Sequence, residues 1–413
     1  MIEEFYSKFP VEDIELVREY LKDRYEVKRK EKKLGIVYDI LHDCDLACIG
    51  CGTNAHYSGS KRLDVTKPSL QQIIYVFDKI KDYADAEGLT VFINIGGGEP
   101  FLRKDIINVL KSASEHFGVS GVGVDTNGTL DESFELIVEA MKYSSYVGIS
   151  VNGCEKYHNW WAGNKNINAF QKSMDTIKKL CRLGDFTREK LEVTSVASSR
   201  NLEDIPTLIH ILSEVGVKNY SIHRAMPVGR MINHPELLPT NEQYLKLLID
   251  TIKAGRGEKM DVHIHHSIES IHETLLLGLE TYIPDKAGNP DIGSSIGIEP
   301  GGHLVFDPWC TSGMWKKLCS PGCVYDNEIR FENMLSSKGS VFDITQTYTA
   351  RHLRCNGCSE QCSGGSRVVA AACKLLGLNE HEADISDLLG AMSSIDPACP
   401  MYLENMEYED DEF

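Results

Sequence analysis

The sequence predicts an α/β fold: a partial, TIM-like (β/α)6 barrel followed by a cysteine-rich, hairpin-containing C-terminal domain. Three observations predict it. Short apolar runs alternate with longer helical stretches six times between residues 35 and 256, and strand–helix repetition means a parallel sheet with helical crossovers. A closed barrel of this class takes about eight such units, more than the sequence offers, so an open one is expected. The repetition then stops near residue 258, where SSIGIEPGGHLVFDPWC (294–310) reads as a hairpin with a Pro-Gly-Gly turn, followed by loop-rich chain.

Taken in order, residues 1–34 form a helical lead-in, with Ile14, Val17 and Leu21 at helical spacing and Tyr25 one turn on. Strands are expected at GIVYDIL (35–41), TVFINIG (90–96), GVGVDTN (121–127), YVGISVN (146–152), LEVTSVA (191–197) and KNYSIHR (218–224). Helices are expected at 69–86, 103–117, 131–142, 165–183, 203–215 and 240–254. DVHIHHS (261–267) reads as one more strand. The expected division is a barrel over 35–257, a C-terminal domain over 258–403 and an acidic tail over 404–413.

Composition narrows the class. With 413 residues, 42% hydrophobic and 25% charged, the chain can bury a sizeable core. A net charge of −18 argues against a general nucleic-acid binder. The opening MIEEFYSKFP lacks the basic and apolar regions of a signal peptide, and no apolar run suits a membrane span. The expectation is a cytoplasmic protein with neither a nucleic-acid nor a membrane partner. The tail ENMEYEDDEF reads as solvated, and the basic run KRKEKK (28–33) as a solvated helix end or a docking point for an acidic electron-transfer protein.

The 13 cysteines are the unusual feature. A reducing compartment disfavours a disulfide framework, so clustered cysteines point to metal or redox chemistry. Cys44, Cys48 and Cys51 stand at C-x3-C-x2-C directly after the first strand. Cys310, Cys319, Cys323, Cys355, Cys358, Cys362, Cys373 and Cys399 crowd the C-terminal part, with only Cys154 and Cys181 between the two groups. Three thiolates can hold three corners of a cubane iron–sulfur cluster and leave the fourth open, as catalytic metal sites do. Spacing alone also allows a zinc knuckle completed by His42 or His56. GGGEP follows the second strand, TNG ends the third and SVNG ends the fourth. In parallel α/β folds the carboxyl ends of the strands carry the ligand site, so all four stretches are expected on one face.

These motifs, in this order, resemble the radical S-adenosylmethionine (radical SAM) superfamily over roughly residues 35–256. The resemblance implies a 4Fe–4S cluster on Cys44, Cys48 and Cys51, with S-adenosylmethionine chelating its open iron. It implies that Gly97, Gly98, Glu99 and Pro100 meet the methionine amino group, where glycines allow close backbone approach. Asn127 and Ser150 match the polar residues that face the ribose, and Gly229 and Arg230 in MPVGRM resemble the turn after the sixth strand. Relatives often carry His-Asp and then Arg-Gly where this chain reads YHNWWAG (157–163), with Ala162 in the arginine's place. Asn159, Trp160 and Trp161 there either pack or shape a substrate entrance.

GGHLVFDPWC and CNGCSEQC resemble the SPASM extension of one branch of that family, which holds up to two auxiliary 4Fe–4S clusters. The eight C-terminal cysteines suit two such sites, one site with spare thiols, or structural zinc. Cys154, after SVNG, is a candidate hydrogen donor to a substrate radical or a small core residue. His263, His265 and His266 include a candidate proton acceptor. The resemblance implies reductive cleavage of S-adenosylmethionine to a 5′-deoxyadenosyl radical, which takes a hydrogen atom from a peptide or protein being oxidised, cross-linked or epimerised. A small molecule, dehydrogenated or epimerised, is the second expectation, and a zinc-stapled interaction protein the third. Flavodoxin or ferredoxin is the implied electron donor.

Overall fold

The computed structural model describes residues 2–28, 33–57, 67–264, 276–277, 295–305 and 320–336. Two helices, α1 (Ile2–Tyr6) and α2 (Val11–Lys28), lead into β1 (Lys33–Asp39). Two-residue strands β2 (Asp43–Cys44) and β3 (His56–Tyr57) pair with each other beyond its end. Strand–helix units follow: α3 (Leu70–Glu87), β4 (Thr90–Gly96), α4 (Ile106–Phe117), β5 (Val122–Thr126), α5 (Phe134–Ala140) and β6 (Tyr146–Ser150). Then come α6 (Glu155–Ala162), α7 (Ala169–Leu183), α8 (Asp185–Lys190), β7 (Leu191–Ala197), α9 (Asp204–Glu214), β8 (Asn219–Arg224) and α10 (Asn241–Glu258). The described chain closes with β9 (Asp261–Ile264), the β10 (Ser295–Ile298) and β11 (His303–Val305) hairpin, β12 (Gly322–Cys323) and α11 (Phe331–Ser336).

Local signals set these elements. In α3, Ser69 and Gln72 form a reciprocal capping box at the start, and Gly88 closes the end in the left-handed conformation. Its apolar positions Ile73, Val76, Phe77 and Ile80 recur at helical spacing and are fully buried. Strand β4 alternates instead: Val91, Ile93 and Ile95 are buried against the helices, while Phe92 and Asn94 point to the other face. Core positions of this kind each contribute about 1.5–3 kcal/mol.

One sheet runs β12-β11-β10-β1-β4-β5-β6-β7-β8-β9. From β1 through β9 the neighbours are parallel and follow chain order, so the six expected strands are present. The strand expected at 261–267 is β9, which extends the sheet as a seventh parallel neighbour. On the other side β10 pairs parallel with β1, and β11 turns back antiparallel through the Pro300-Gly301-Gly302 turn. Among the described residues the two edges of this sheet do not pair, so the barrel is open. No described helix is long and apolar enough to cross a membrane.

Three polar anchors tie the barrel to what surrounds it. Lys79 on α3 donates its ammonium to the carbonyls of Val324 (3.0 Å), Asp326 (2.6 Å) and Ile329 (3.1 Å), and Tyr38 meets Tyr325 hydroxyl to hydroxyl at 2.8 Å. Both contacts seat the 320–336 segment on the barrel. Arg103, 1% exposed, forks onto Asp105 (3.0 and 2.9 Å) and donates to the carbonyls of Ile40 (3.2 Å) and Pro68 (3.0 Å). It thereby fixes the chain where β1 ends. Replacing it with Met is expected to lower unfolding stability by about 2–3 kcal/mol, because two buried carbonyls lose their donor; urea titration measures this, and an unchanged midpoint would rule the anchor out.

Candidate functional site

The site begins where β1 ends, because the β1–β4 ladder continues into the loops. Ile40 N–H donates to the Gly96 carbonyl (3.0 Å), Gly98 N–H to Leu41 (2.8 Å) and Glu99 N–H to Asp43 (2.8 Å). The two backbones run so close that a Cβ on Gly98 would stand 2.0 Å from the Asp43 carbonyl oxygen. Only glycine fits there. The cysteine loop is therefore laid directly against the GGGEP stretch.

Side chains complete the junction. Glu99, fully buried, accepts from Phe101 N–H (3.0 Å), the Thr126 hydroxyl (2.8 Å) and Asn127 N–H (2.8 Å). Burial pushes its carboxyl up to about 7 against the pull of those donors. Asn127 reaches over from β5 to donate to Asp45 Oδ1 at 2.6 Å, with Cys44 Sγ 3.9 Å from the same amide. Thr129 also donates to Asp45, and the Thr53 hydroxyl donates to the Gly97 carbonyl at 3.3 Å. Pro100 opens the short 3-10 turn that Glu99 caps.

The far side of the loop is held by α6 and by the chain after β8. Ala47 N–H donates to the Ala162 carbonyl (3.0 Å) and Ile49 N–H to Trp161 (2.8 Å). Ala162, in the place where relatives often carry arginine, thus meets the loop through its backbone. Arg230 donates through Nε to the Cys48 carbonyl at 2.7 Å and also to Ala55, while its own N–H donates to Cys51 (2.9 Å). Gly229 precedes it in the left-handed region (φ 57°), and a Cβ there would lie 2.3 Å from the Cys51 carbonyl oxygen.

Cys44, Cys48 and Cys51 all lie on this loop, buried or half-buried. Leu46 N–H points at Cys44 Sγ (3.4 Å) and Ala55 N–H at Cys51 Sγ (3.3 Å). Burial pushes the Cys44 thiol well up and Cys48 to about 12, with neighbouring Cys51 adding to it and Arg230 opposing. Such thiols stay protonated unless a bound cation draws off the proton. Three sulfurs, two met by backbone N–H donors, are a donor set that fits an iron–sulfur cluster. His42, a partner of the zinc alternative, instead has Nε2 3.7 Å from Glu299 Oε2, and the His56 side chain lies outside the described residues. Among the described residues, no three His, Cys, Asp or Glu side chains are grouped tightly enough for a single metal ion.

Other sequence candidates fall elsewhere. Ser150 ends β6 half-buried, in register with Thr194. Cys154 precedes α6, its N–H donating to Asp204 (3.1 Å) and its sulfur 3.9 Å from the Asp204 carbonyl. Trp161 packs on the cysteine loop at 3% exposure, whereas Trp160 is 39% exposed beneath the Arg200 guanidinium. Asn159 bonds Asn168 and Phe170. Cys323 lies in β12, with its sulfur 3.5 Å from the Gly301 carbonyl. Cys310, Cys319, Cys355, Cys358, Cys362, Cys373, Cys399, His265, His266 and the tail 404–413 lie outside the described residues. Asp45 and Thr126 escaped sequence reasoning; for Asp45 the one available signal is its place inside the cysteine motif.

Residues 38–212 match the family model described as the radical SAM superfamily. The chain is 24% identical over 226 residues to the Fe-coproporphyrin III synthase of Methanosarcina barkeri, covering 54% of this chain and 52% of that protein. It is 28% identical over 216 residues to the mycofactocin maturase MftC of Mycolicibacterium smegmatis, covering 51% and 50%. The chain thus spans about half the length of the curated relatives it matches. Its fold is similar to that of Streptococcus suis SuiB bound to precursor peptide SuiA, with TM-score 0.60, 15% identity and coverage of 82% of this chain and 72% of that one.

The Asp45–Asn127 contact predicts non-additive substitutions. In a double-mutant cycle of Asp45→Ala and Asn127→Ala, the coupling measured by chemical denaturation is expected to be about 1 kcal/mol. Strict additivity would mean that the cysteine loop and β5 are not joined there.

Proposed function

The chain carries a radical SAM domain over residues 38–212, and on that premise we propose that it is a radical SAM oxidoreductase whose substrate is a peptide or protein. The observation that carries the proposal is the cysteine loop zipped to the GGGEP stretch at the carboxyl ends of parallel strands. Cys44, Cys48 and Cys51 would hold three irons of a 4Fe–4S cluster. When bound, that cluster and S-adenosylmethionine supply one-electron cleavage of a C–S bond, and with it a carbon radical able to take a hydrogen atom from substrate.

The chain's own residues do the rest. Gly97 and Gly98 let the chain after β4 lie directly against the cluster loop, where any Cβ would strike the Leu41 or Asp43 carbonyl. Glu99, pinned by three donors, offers a fixed carboxylate edge and backbone for an ammonium, with Pro100 and its short turn holding the bend. Asn127 and Ser150 offer polar edges from β5 and β6 to a ribose. Trp161 and Met231 pack on Gly50 and keep water from the loop's outer side. Arg230 holds the loop by its carbonyls and leaves the three sulfurs to the irons.

The likeness to a maturase and to a fold seen with a precursor peptide supports the peptide substrate. The likeness to Fe-coproporphyrin III synthase supports the second reading, a small-molecule substrate that is dehydrogenated or epimerised. In this proposal Cys154 is a candidate hydrogen donor. The C-terminal cysteines Cys310, Cys319, Cys323, Cys355, Cys358, Cys362, Cys373 and Cys399 would hold one or two auxiliary 4Fe–4S clusters, and flavodoxin or ferredoxin would deliver the electron in the cytoplasm.

After anaerobic reconstitution, the protein is expected to bind iron rather than zinc and, with dithionite, to release 5′-deoxyadenosine from S-adenosylmethionine. Replacing Cys44, Cys48 and Cys51 together by Ala should remove about four irons and abolish that release. Continued release by the triple variant, or zinc in place of iron, would refute the assignment.

A further inference from the structure

The face of the sheet turned away from the helices is polar. Strand register places Asp125, Gly148, Glu192, Asn219 and Asp261 in one row across β5 to β9, and Ser150, Thr194, Ser221 and His263 in the next. Parallel neighbours in register share a face, so these side chains line the inside of the open barrel. Asp125 on β5 stands two residues before Asn127, which follows the strand, and so about 7 Å lower. It thus lies one layer beneath the level at which Asn127 meets the cysteine loop.

Asp125 is held in an unusual way. Its Oδ2 accepts from Asn94 Nδ2 at 2.6 Å, and Asn94 Oδ1 in turn accepts from the Tyr146 hydroxyl at 3.2 Å. The Tyr146 ring stacks on Phe92, with centroids 6.2 Å apart, so the chain of contacts is braced from below. The other carboxylate oxygen, Oδ1, lies over Gly148, 2.1 Å from where a Cβ would be. Among the described residues, no donor reaches it. Beside the same spot stands Thr194, whose buried hydroxyl has no hydrogen-bond partner. Burial pushes the Asp125 carboxyl up to about 6, opposed by the Asn94 hydrogen bond. A half-buried carboxylate with one donor is only partly compensated for its lost hydration.

Among the described residues, the charged side chains on this face are mostly acidic. Asp39, Asp125, Glu192 and Asp261 lie on it, and His223 is held neutral by burial, its pKa lowered to about 4. The one described lysine on the face is Lys33 at the start of β1, whose ammonium lies over the Phe92 ring at 4.8 Å. No described arginine lies there: Arg224 points outward onto Tyr244.

We infer that Asp125 Oδ1 and the Thr194 hydroxyl, both close to Gly148, form a specificity site for a cationic nitrogen of the substrate, an amine or guanidinium that meets the free face of the carboxylate. The site rests on the radical SAM proposal for its purpose, since a group bound there sits one layer below the proposed cofactor. It adds a substrate class: a lysine- or arginine-containing peptide, or another amine. Asp125 positions substrate, Asn94 fixes the carboxylate, and Gly148 leaves room for that carboxylate.

Calorimetric titration of the reconstituted protein with S-adenosylmethionine present tests this. The probes are the acetylated methylamides of lysine, arginine and the neutral isostere norleucine. Wild-type protein is expected to bind the two cationic probes about tenfold more tightly than norleucine. Asp125→Asn should erase that preference while leaving iron content and S-adenosylmethionine affinity as they were. Gly148→Ala, which crowds the carboxylate from another strand, should weaken it too, and serves if the first variant does not fold. Equal affinity of the three probes for wild type, including no measurable binding by any, overturns the site, as does a preference that survives Asp125→Asn. Failure to hold iron or S-adenosylmethionine would instead count against the function proposed above, and is read separately by metal analysis and by titration of S-adenosylmethionine alone.

Discussion

Everything at the candidate site depends on the close approach of two backbones, 40–43 after β1 and 96–99 after β4. Three hydrogen bonds prolong the parallel ladder past the strands, and Gly98 lets the chains touch. Any side chain at Gly98 would push the cysteine loop outward. Because the loop is fixed at this seam, it can be fixed elsewhere by lighter contacts: Asn127 on Asp45 from β5, the α6 carbonyls on Ala47 and Ile49, and Arg230 on Cys48 and Ala55. Strands, helix and turn converge on a loop that has little regular structure of its own.

The parallel sheet makes that convergence possible. Each strand delivers its carboxyl end to one rim, and the segments that leave that rim carry cysteine, Gly-Glu-Pro, Asn and Ser in turn. The same sheet presents two unlike faces. Its helix side is apolar and closely packed, with Ile36, Ile93 and Ile149 fully buried, whereas its inner side carries carboxylates, amides and glycines. An inner face filled by large aliphatic side chains would be a core.

Much of the fold was legible because the strands and helices carry strong periodic signals. The strand expected at 90–96 is observed over those residues, and α3 lies within one residue of its expected span at each end. Helices α6 and α8 went unread: both are short, and the aromatic-rich EKYHNWWA has neither a clean apolar stripe nor an N-terminal cap signal. Strand β9 (Asp261–Ile264) was legible, but its place as a parallel neighbour of β8 was not, since pairing is a long-range choice. At the site, Cys44, Cys48, Cys51, Gly98, Glu99 and Asn127 stood out as types at motif spacing, and the structure brings them together. Asp45, Thr126 and Arg103 did not, because their roles follow from which strand lies next to which.

The central claim is that the three-cysteine loop leaves one cluster iron open, and that S-adenosylmethionine takes it. Electron paramagnetic resonance of the reduced, iron-reconstituted protein, recorded before and after adding S-adenosylmethionine, tests this most directly. A reduced cluster signal whose g values shift on addition is the predicted result. A signal left unchanged at saturating S-adenosylmethionine, in protein with full iron content, would contradict it.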